Sequence, residues 1–255
     1  MLNWSIMEPA NHEKNPPTIL SFSQVGKEHK SDGLGCEDAY VTINKDSFLF
    51  CGLADGQSGK HYCKAGGKAV LTAIAQYVEN TGIHALVKRE YLDEIQYELI
   101  RVIRETLHTL SISSHSEVSE FSSTIVAVAI DRVTSEYLTI HLGDGCILAV
   151  KNETDVVILS DPENGITRQY TWLTTSPDAM HHLRVRRGSV DILKRIILLT
   201  DGATMFFRGG YITKKAEAVL RDLKNPVAIQ DEIENGNPLD DASCIVVNLL
   251  NPEIS

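Results

Sequence analysis

FCGLADGQSG, residues 50–59, is the stretch on which the reading of the chain turns. An apolar run ends abruptly in Ala54-Asp55-Gly56, and a second small-residue signal follows at Ser58-Gly59. A tight turn is one explanation, because Gly accepts positive φ and Asp can bond its own backbone. A metal ligand held at the end of a buried strand is the other. The pattern recurs: HLGDG gives Asp144-Gly145 and LLTDG gives Asp201-Gly202, each after an apolar, strand-like run. LDDASCIVV puts Asp240 and Asp241 just before the last such run, and GCEDAYV puts Glu37 and Asp38 just before an early one. Carboxylates at the ends of neighbouring strands repel each other unless cations sit between them. Hard divalent ions such as Mg²⁺ and Mn²⁺ take oxygen ligands. Two such ions about 4 Å apart activate a bridging water and clamp a phosphoryl group. At Asp144 a hairpin turn explains the sequence as well as a ligand does.

Outward from these sites the chain alternates strands and helices. TILSFSQV, AYVTIN and SFLFCGLA read as strands. Two helical stretches follow, one with Val70, Leu71, Ile74, Tyr77 and Val78 on its apolar stripe, the other with Leu92, Ile95, Leu99, Val102 and Ile103. Thr81-Gly82 breaks the chain between them. STIVAVAI is apolar enough for a strand buried on both faces; EYLTIHL, CILAVKN and DVVILS suggest a meander, with HLGDGCILAV as a hairpin. Residues 160–190 are polar and irregular, the mark of a functional loop or flap. RIILLT, helical segments near 213–234 and SCIVVNLL close the domain. Strand runs on either side of a helical pair imply sheet packed on sheet with helices outside.

The 255 residues, 43% hydrophobic, suffice for one large domain at 18–251, preceded by a flexible arm at 1–17. A formal net charge of -10 disfavours a nucleic-acid backbone or an anionic membrane as partner. The first residues, MLNWSIMEPANHEKNPP, carry neither the basic start nor the apolar core of a signal peptide. IVAVAI is too short to span a bilayer. Five cysteines without a Cys-x-x-Cys pair read as reduced thiols in a cytoplasmic protein.

The order of these motifs resembles the type-2C, metal-dependent serine/threonine protein phosphatases (the PPM family), from about Val25 to Leu250. The motifs are Glu-Asp-Ala before an early strand, Asp-Gly-x-x-Gly, an SST strand, Gly-Asp-Gly for the usual Gly-Asp-Ser, Thr-Asp-Gly and a terminal Asp-Asp. GKEHKSDGLGCEDAY and YTWLTT are closer to a compact bacterial branch. The resemblance implies an α+β fold, a four-layer α-β-β-α sandwich of two antiparallel sheets flanked by helices. It also implies two Mn²⁺ or Mg²⁺ ions, with a third, weaker site. Carried over by position, Asp55 bridges both ions, the Gly56 carbonyl binds the second, and Asp201 and Asp240 bind the first. Asp38, with Glu37 beside it, holds water around the ions, and Asp144 with Asp201 supports the third. Asp241 reads as lying behind the ligands or at the surface. The implied reaction is hydrolysis of phosphoserine or phosphothreonine in a phosphoprotein by the metal-bridging water, reversing a Ser/Thr kinase, with the enzyme a monomer. The rival readings are a phosphoprotein-binding pseudophosphatase and a small-molecule phosphomonoesterase on the same fold.

The chain departs from the family pattern at two points. Gln57 stands where many members carry a His proposed as general acid, and Gln supplies no proton. The phosphate-binding Arg near the N-terminus has no match. His29, between Lys27 and Lys30, reads either as a surface histidine or as the group that touches phosphate and donates the proton. Arg184, Arg186 and Arg187 read as solvating the 160–190 loop, and His181-His182 shows no partner signal.

Overall fold

The computed structural model describes residues 17–151, 155–164, 170–208, 211–212, 214–225 and 227–249. The arm expected at 1–17 lies outside them except for Pro17. The chain begins with β1 (Thr18–Gln24), α1 (Lys27–Ser31), β2 (Ala39–Asn44) and β3 (Phe48–Ala54). Three helices follow, α2 (Cys63–Thr81), α3 (Ile83–Val87) and α4 (Leu92–Ser114). Strands β4 (Ile125–Asp131), β5 (Glu136–Leu142), β6 (Cys146–Lys151) and β7 (Asp155–Ser160) come next. After a short α5 (Ala179–His182) come β8 (Arg184–Ser189) and β9 (Leu193–Leu199). The small pair β10 (Phe207–Arg208) and β11 (Tyr211–Ile212) precedes α6 (Lys214–Arg221), α7 (Ala228–Gly236) and β12 (Ala242–Asn248).

One antiparallel sheet runs β2-β3-β4-β5-β8, the other β1-β12-β9-β6-β7. Strand alternation divides each between two cores. In β3, Phe48, Phe50 and Ala54 face α2, α3 and α4, while Leu49, Cys51 and Leu53 face the other sheet. In β12, Cys244 and Val246 face α6 and α7, while Ile245 and Val247 point inward. Both faces are therefore apolar, which explains the uninterrupted hydrophobic runs. The result is the expected four-layer α-β-β-α sandwich. The helical stripes are as read: Val70, Leu71, Ile74 and Val78 of α2 and Ile95, Leu99 and Ile103 of α4 are buried. Gly82, with φ 82°, takes the chain out of α2.

Two expectations about the chain path fail. β5 and β6 do not form a hairpin or part of a meander, because they belong to different sheets. Gly143-Asp144-Gly145 is the crossing between the layers. Gly143 holds a φ of 109°, and a Cβ on Gly145 would meet the Leu199 carbonyl oxygen at 2.6 Å. Nor is 160–190 irregular throughout, since it contains α5 and the edge strand β8. Only Val185 of β8 is fully buried, so the strand carries no apolar alternation to read. Its arginines are also not loop solvation. Arg187 Nη1 donates to the Val87 and Arg89 carbonyls, both at 2.6 Å, and Arg186 Nη1 donates to the Leu159 carbonyl at 2.9 Å.

Candidate metal centre

Both sheets deliver carboxylates to the same end of the sandwich. Asp55 follows β3, and Asp38 precedes β2. Asp201 lies just past β9, Asp240 just before β12, and Asp144 in the crossing between the layers. Asp55, Asp144, Asp201 and Asp240 line one pocket of about 520 Å³, together with Gly56 and Gln57. Asp55, Asp144 and Asp201 each offer a carboxylate oxygen within 4.8 Å of the others.

The backbone around these acids is tightly held. Asp55 N donates to Thr124 Oγ1 (3.0 Å), and Thr124 N donates back to the Asp55 carbonyl (2.9 Å). Thr200 Oγ1 accepts from Ser243 N (2.9 Å) and donates to Asp38 Oδ2 (3.1 Å), tying the two sheets together beside the site. The glycine after each Asp is explained by close approach rather than by turn geometry. Among the described residues the glycines with positive φ are Gly33, Gly59, Gly82 and Gly143, none of them the partner of an Asp-Gly pair at the site. A Cβ on Gly202 would lie 2.1 Å from the Asp241 carbonyl oxygen. One on Gly56 would lie 2.8 Å from the Glu37 carbonyl oxygen and from Cys63 Sγ. Only a bare backbone fits there.

Burial is the main force on the acids, and their mutual repulsion adds to it. Asp55 is held well above the usual carboxylate range by burial and then by Asp38, Asp201, Asp240 and Asp144. Burial, followed by Asp144 and Asp240, pushes Asp201 up to about 7. Burial also raises Asp38 to about 6, although hydrogen bonds from Ser243 and Thr200 oppose it. Asp38 Oδ1 and Asp144 Oδ1 are buried with no hydrogen-bond partner. Such orphaned oxygens are expensive unless something satisfies them. A donor set of carboxylate oxygens with no sulfur or imidazole fits Mg²⁺ or Mn²⁺ and not a thiolate-seeking metal.

A second cluster lies behind the first. His29 is only 8% exposed, so it is not a surface residue. Its Nδ1 donates to Asp241 Oδ2 (2.9 Å), and its Nε2 lies 3.6 Å from Glu37 Oε2. Asp241 Oδ1 accepts from Gly26 N (2.7 Å) and Oδ2 also from Glu37 N (2.5 Å). Burial alone would lower the His29 imidazole. The Asp241 hydrogen bond and the charges of Asp241, Glu37 and Asp240 outweigh it and hold the ring above its usual value. His29 therefore has carboxylates on both sides of its ring and does not line the metal pocket. Asp241 is a buried hub, a role to which the second Asp of LDDASC was the only clue.

Against the crossing that carries Asp144 lies a network that the sequence did not suggest. His182 stacks on Trp172 with ring centroids 3.6 Å apart, and its Nδ1 donates to Glu163 Oε1 (2.6 Å). Glu163 Oε2 pairs with Arg184 Nε at 3.2 Å, and Glu163 N donates to the Gly143 carbonyl at 2.9 Å. The residue before Asp144 is thus anchored through Glu163 to the aromatic pair.

A two-sheet sandwich that gathers hard oxygen donors at one end is the architecture of the metal-dependent protein phosphatases. The sequence model described as protein phosphatase 2C matches residues 25–242, and the chain belongs to that family. Membership makes it a divalent-metal-dependent protein-serine/threonine phosphatase. Among solved structures, a bacterial serine phosphatase is similar at TM-score 0.63 and 11% identity, over 92% of this chain and 99% of that one. Serine/threonine phosphatase Stp1 from Staphylococcus aureus is similar at TM-score 0.63 and 12% identity, over 97% and 99%. RsbX in complex with magnesium is similar at TM-score 0.58 and 13% identity, over 92% and 96%. No curated protein sequence matches the chain. Among the described residues, no helix is long and apolar enough to cross a membrane.

Proposed function

We propose that the chain hydrolyses phosphoserine and phosphothreonine in phosphoproteins, with Asp55, Asp201, Asp240 and the Gly56 carbonyl holding two Mn²⁺ or Mg²⁺ ions. Asp144 and Asp201 hold a third, while Asp38 and Glu37 order water around the pair. The observation that carries this reading is the convergence of the Asp55, Asp144 and Asp201 oxygens within 4.8 Å in an open pocket. When bound, the ions supply a bridging water of lowered pKa as nucleophile and neutralise charge on the phosphoryl oxygens.

The chain's own residues do the rest. Thr124 fixes the Asp55 backbone at the strand end, and Thr200 holds an Asp38 carboxylate oxygen, so the strand ends that carry the acids are set before substrate arrives. Gln57 lines the pocket as a hydrogen-bonding group that holds no proton to give. His29, bound by Asp241 and Glu37, positions the Gly26–Glu37 segment and is left out of the chemistry. A full set of acids favours an active enzyme over a phosphoprotein-binding relative without turnover.

The test is Mn²⁺-dependent hydrolysis of an aryl phosphate and a phosphoserine peptide, with and without EDTA, beside a panel of phosphometabolites. Peptide turnover that EDTA abolishes is expected. Turnover unaffected by EDTA, or confined to the metabolites, overturns the reading.

A further inference from the structure

A second groove, of about 560 Å³, borders the metal pocket, and Ser176 lines both. One wall is α4, with Arg104, Leu107 and His108; the others are Val118 and Thr174–Pro177. The ridge between groove and pocket is fixed to the segment that holds the metal ligands. Thr174 N donates to the Ser123 carbonyl (2.9 Å), Ser123 N donates to Thr174 Oγ1 (3.2 Å), and Thr175 Oγ1 lies 2.5 Å from Ser122 Oγ. The next residue in that segment, Thr124, grips Asp55. Groove and metal centre therefore share one rigid frame.

The lining has a definite chemistry. Leu107, Val118 and Pro177 supply apolar surface, with Leu107 buried at the base. Arg104 and His108 are exposed at the rim. Glu105, also at the rim, is 3.3 Å from Arg101. Arg104 Nη2 reaches only the Pro177 carbonyl, at 3.4 Å, and among the described residues no carboxylate pairs with it. In a chain of net charge -10, a guanidinium with no carboxylate partner among the described residues, beside the metal pocket, suits an acidic ligand.

Resting on the phosphatase reading above, we infer that this groove binds the substrate polypeptide beside its phosphorylated residue, taking an apolar side chain against Leu107 and Val118 and an acidic one against Arg104. An extended strand advances about 3.3 Å per residue. Because Ser176 lines both groove and pocket, the contacted positions lie within about two to four residues of the phosphoserine. A free phosphometabolite has nothing to place there.

The experiment compares kcat/KM for phosphoserine peptides whose flanks are acidic and apolar, or basic, with an aryl phosphate as reference. Wild type should favour the acidic-apolar peptide. Arg104→Glu should invert that preference by about fivefold or more, with aryl phosphate turnover and Mn²⁺ dependence unchanged. Val118→Asp should weaken both peptides and spare the aryl phosphate, which also reports that the variant folds. Equal flanking preference in wild type and Arg104→Glu overturns the inference. Loss of metal-dependent turnover on the aryl phosphate by wild type would instead remove the phosphatase reading, so the two failures are distinct.

Discussion

The Asp55–Asp144–Asp201 cluster and the His29–Asp240–Asp241 cluster are alike by distance, since each brings its ligand-type atoms within 4.8 Å. They differ in what those atoms already bind. Asp241 has both oxygens occupied by the Gly26 and Glu37 backbone N–H groups and by His29. Asp144 leaves an oxygen buried and unpartnered, as does neighbouring Asp38. The first cluster repels itself, whereas in the second Asp241 holds a segment in place and Asp240 alone also lines the metal pocket. Hydrogen-bond accounting, not proximity, separates an acid that waits for a cation from one that folds the chain.

The sharpest way to break the contrast is to neutralise a member of the open cluster. Asp55→Asn or Asp201→Asn should cut turnover by about 10³-fold or more at saturating Mn²⁺, because a metal-held nucleophile is worth several kcal/mol of barrier. The same variants should melt higher than wild type in EDTA, by about 2–4 °C per kcal/mol of repulsion relieved. Retention of a tenth of wild-type kcat would remove the ligand assignment.

Asp241→Ala acts on the closed cluster and should have the opposite signature. It strips the acceptor from two backbone N–H groups and from His29, so urea unfolding should show a loss of about 2–4 kcal/mol. Asp241→Asn, which keeps one acceptor oxygen, should lose less. A neutral Asp241→Ala variant would mean that the hub is not structural.

Titration of the metal-free protein is a gentler probe. Folded Asp201 and Asp38 titrate near 7 and 6, against 3.8 for a free Asp. The folded state therefore binds more protons than the unfolded one between those values, and stability falls as pH rises from about 4 to about 7. Urea midpoints measured in EDTA across that range should decline, and Mn²⁺ should flatten the decline. A midpoint that climbs with pH contradicts the repulsion.

Smaller still is the expected effect of His29→Ala. A positioning residue should alter phosphoserine and aryl phosphate turnover by the same factor, under about threefold, whereas a proton donor would affect the poorer leaving group more. At the bottom of the scale, dithiothreitol should leave activity unchanged, because Cys51, Cys63, Cys146 and Cys244 are buried free thiols.

The legible part of the molecule is what local sequence controls. Phe48–Ala54 and Ile125–Ile130 announce strands buried on both faces, Val70–Val78 shows helical period, and repeated acids at strand ends point to the metal centre. The illegible parts depend on partners far along the chain. His29 meets Asp241 212 positions away. Glu163 meets His182 only after β7 and β8 are assigned to different sheets. Gly143-Asp144-Gly145 reads as a hairpin because nothing within ten residues records that its flanking strands pair elsewhere. The reason for the Asp-Gly glycines was hidden in the same way: what Gly202 accommodates is the Asp241 carbonyl, and a local turn rule has no place for it.

The crossing at Gly143–Gly145 also couples assembly to activity. Asp55 comes from one sheet, Asp201 and Asp240 from the other, and Asp144 from the link between them, so neither sheet alone owns a cation site. With the proposed ligand set, divalent ions would bind the docked sandwich and not its halves, and by mass action would stabilise the docked state by about 2.7 kcal/mol at a hundredfold excess over Kd. A newly made or partly opened chain would then have no means of removing phosphate. Catalytic competence would thus report that the two sheets have closed on each other, and depletion of the ions would loosen the same junction that it silences.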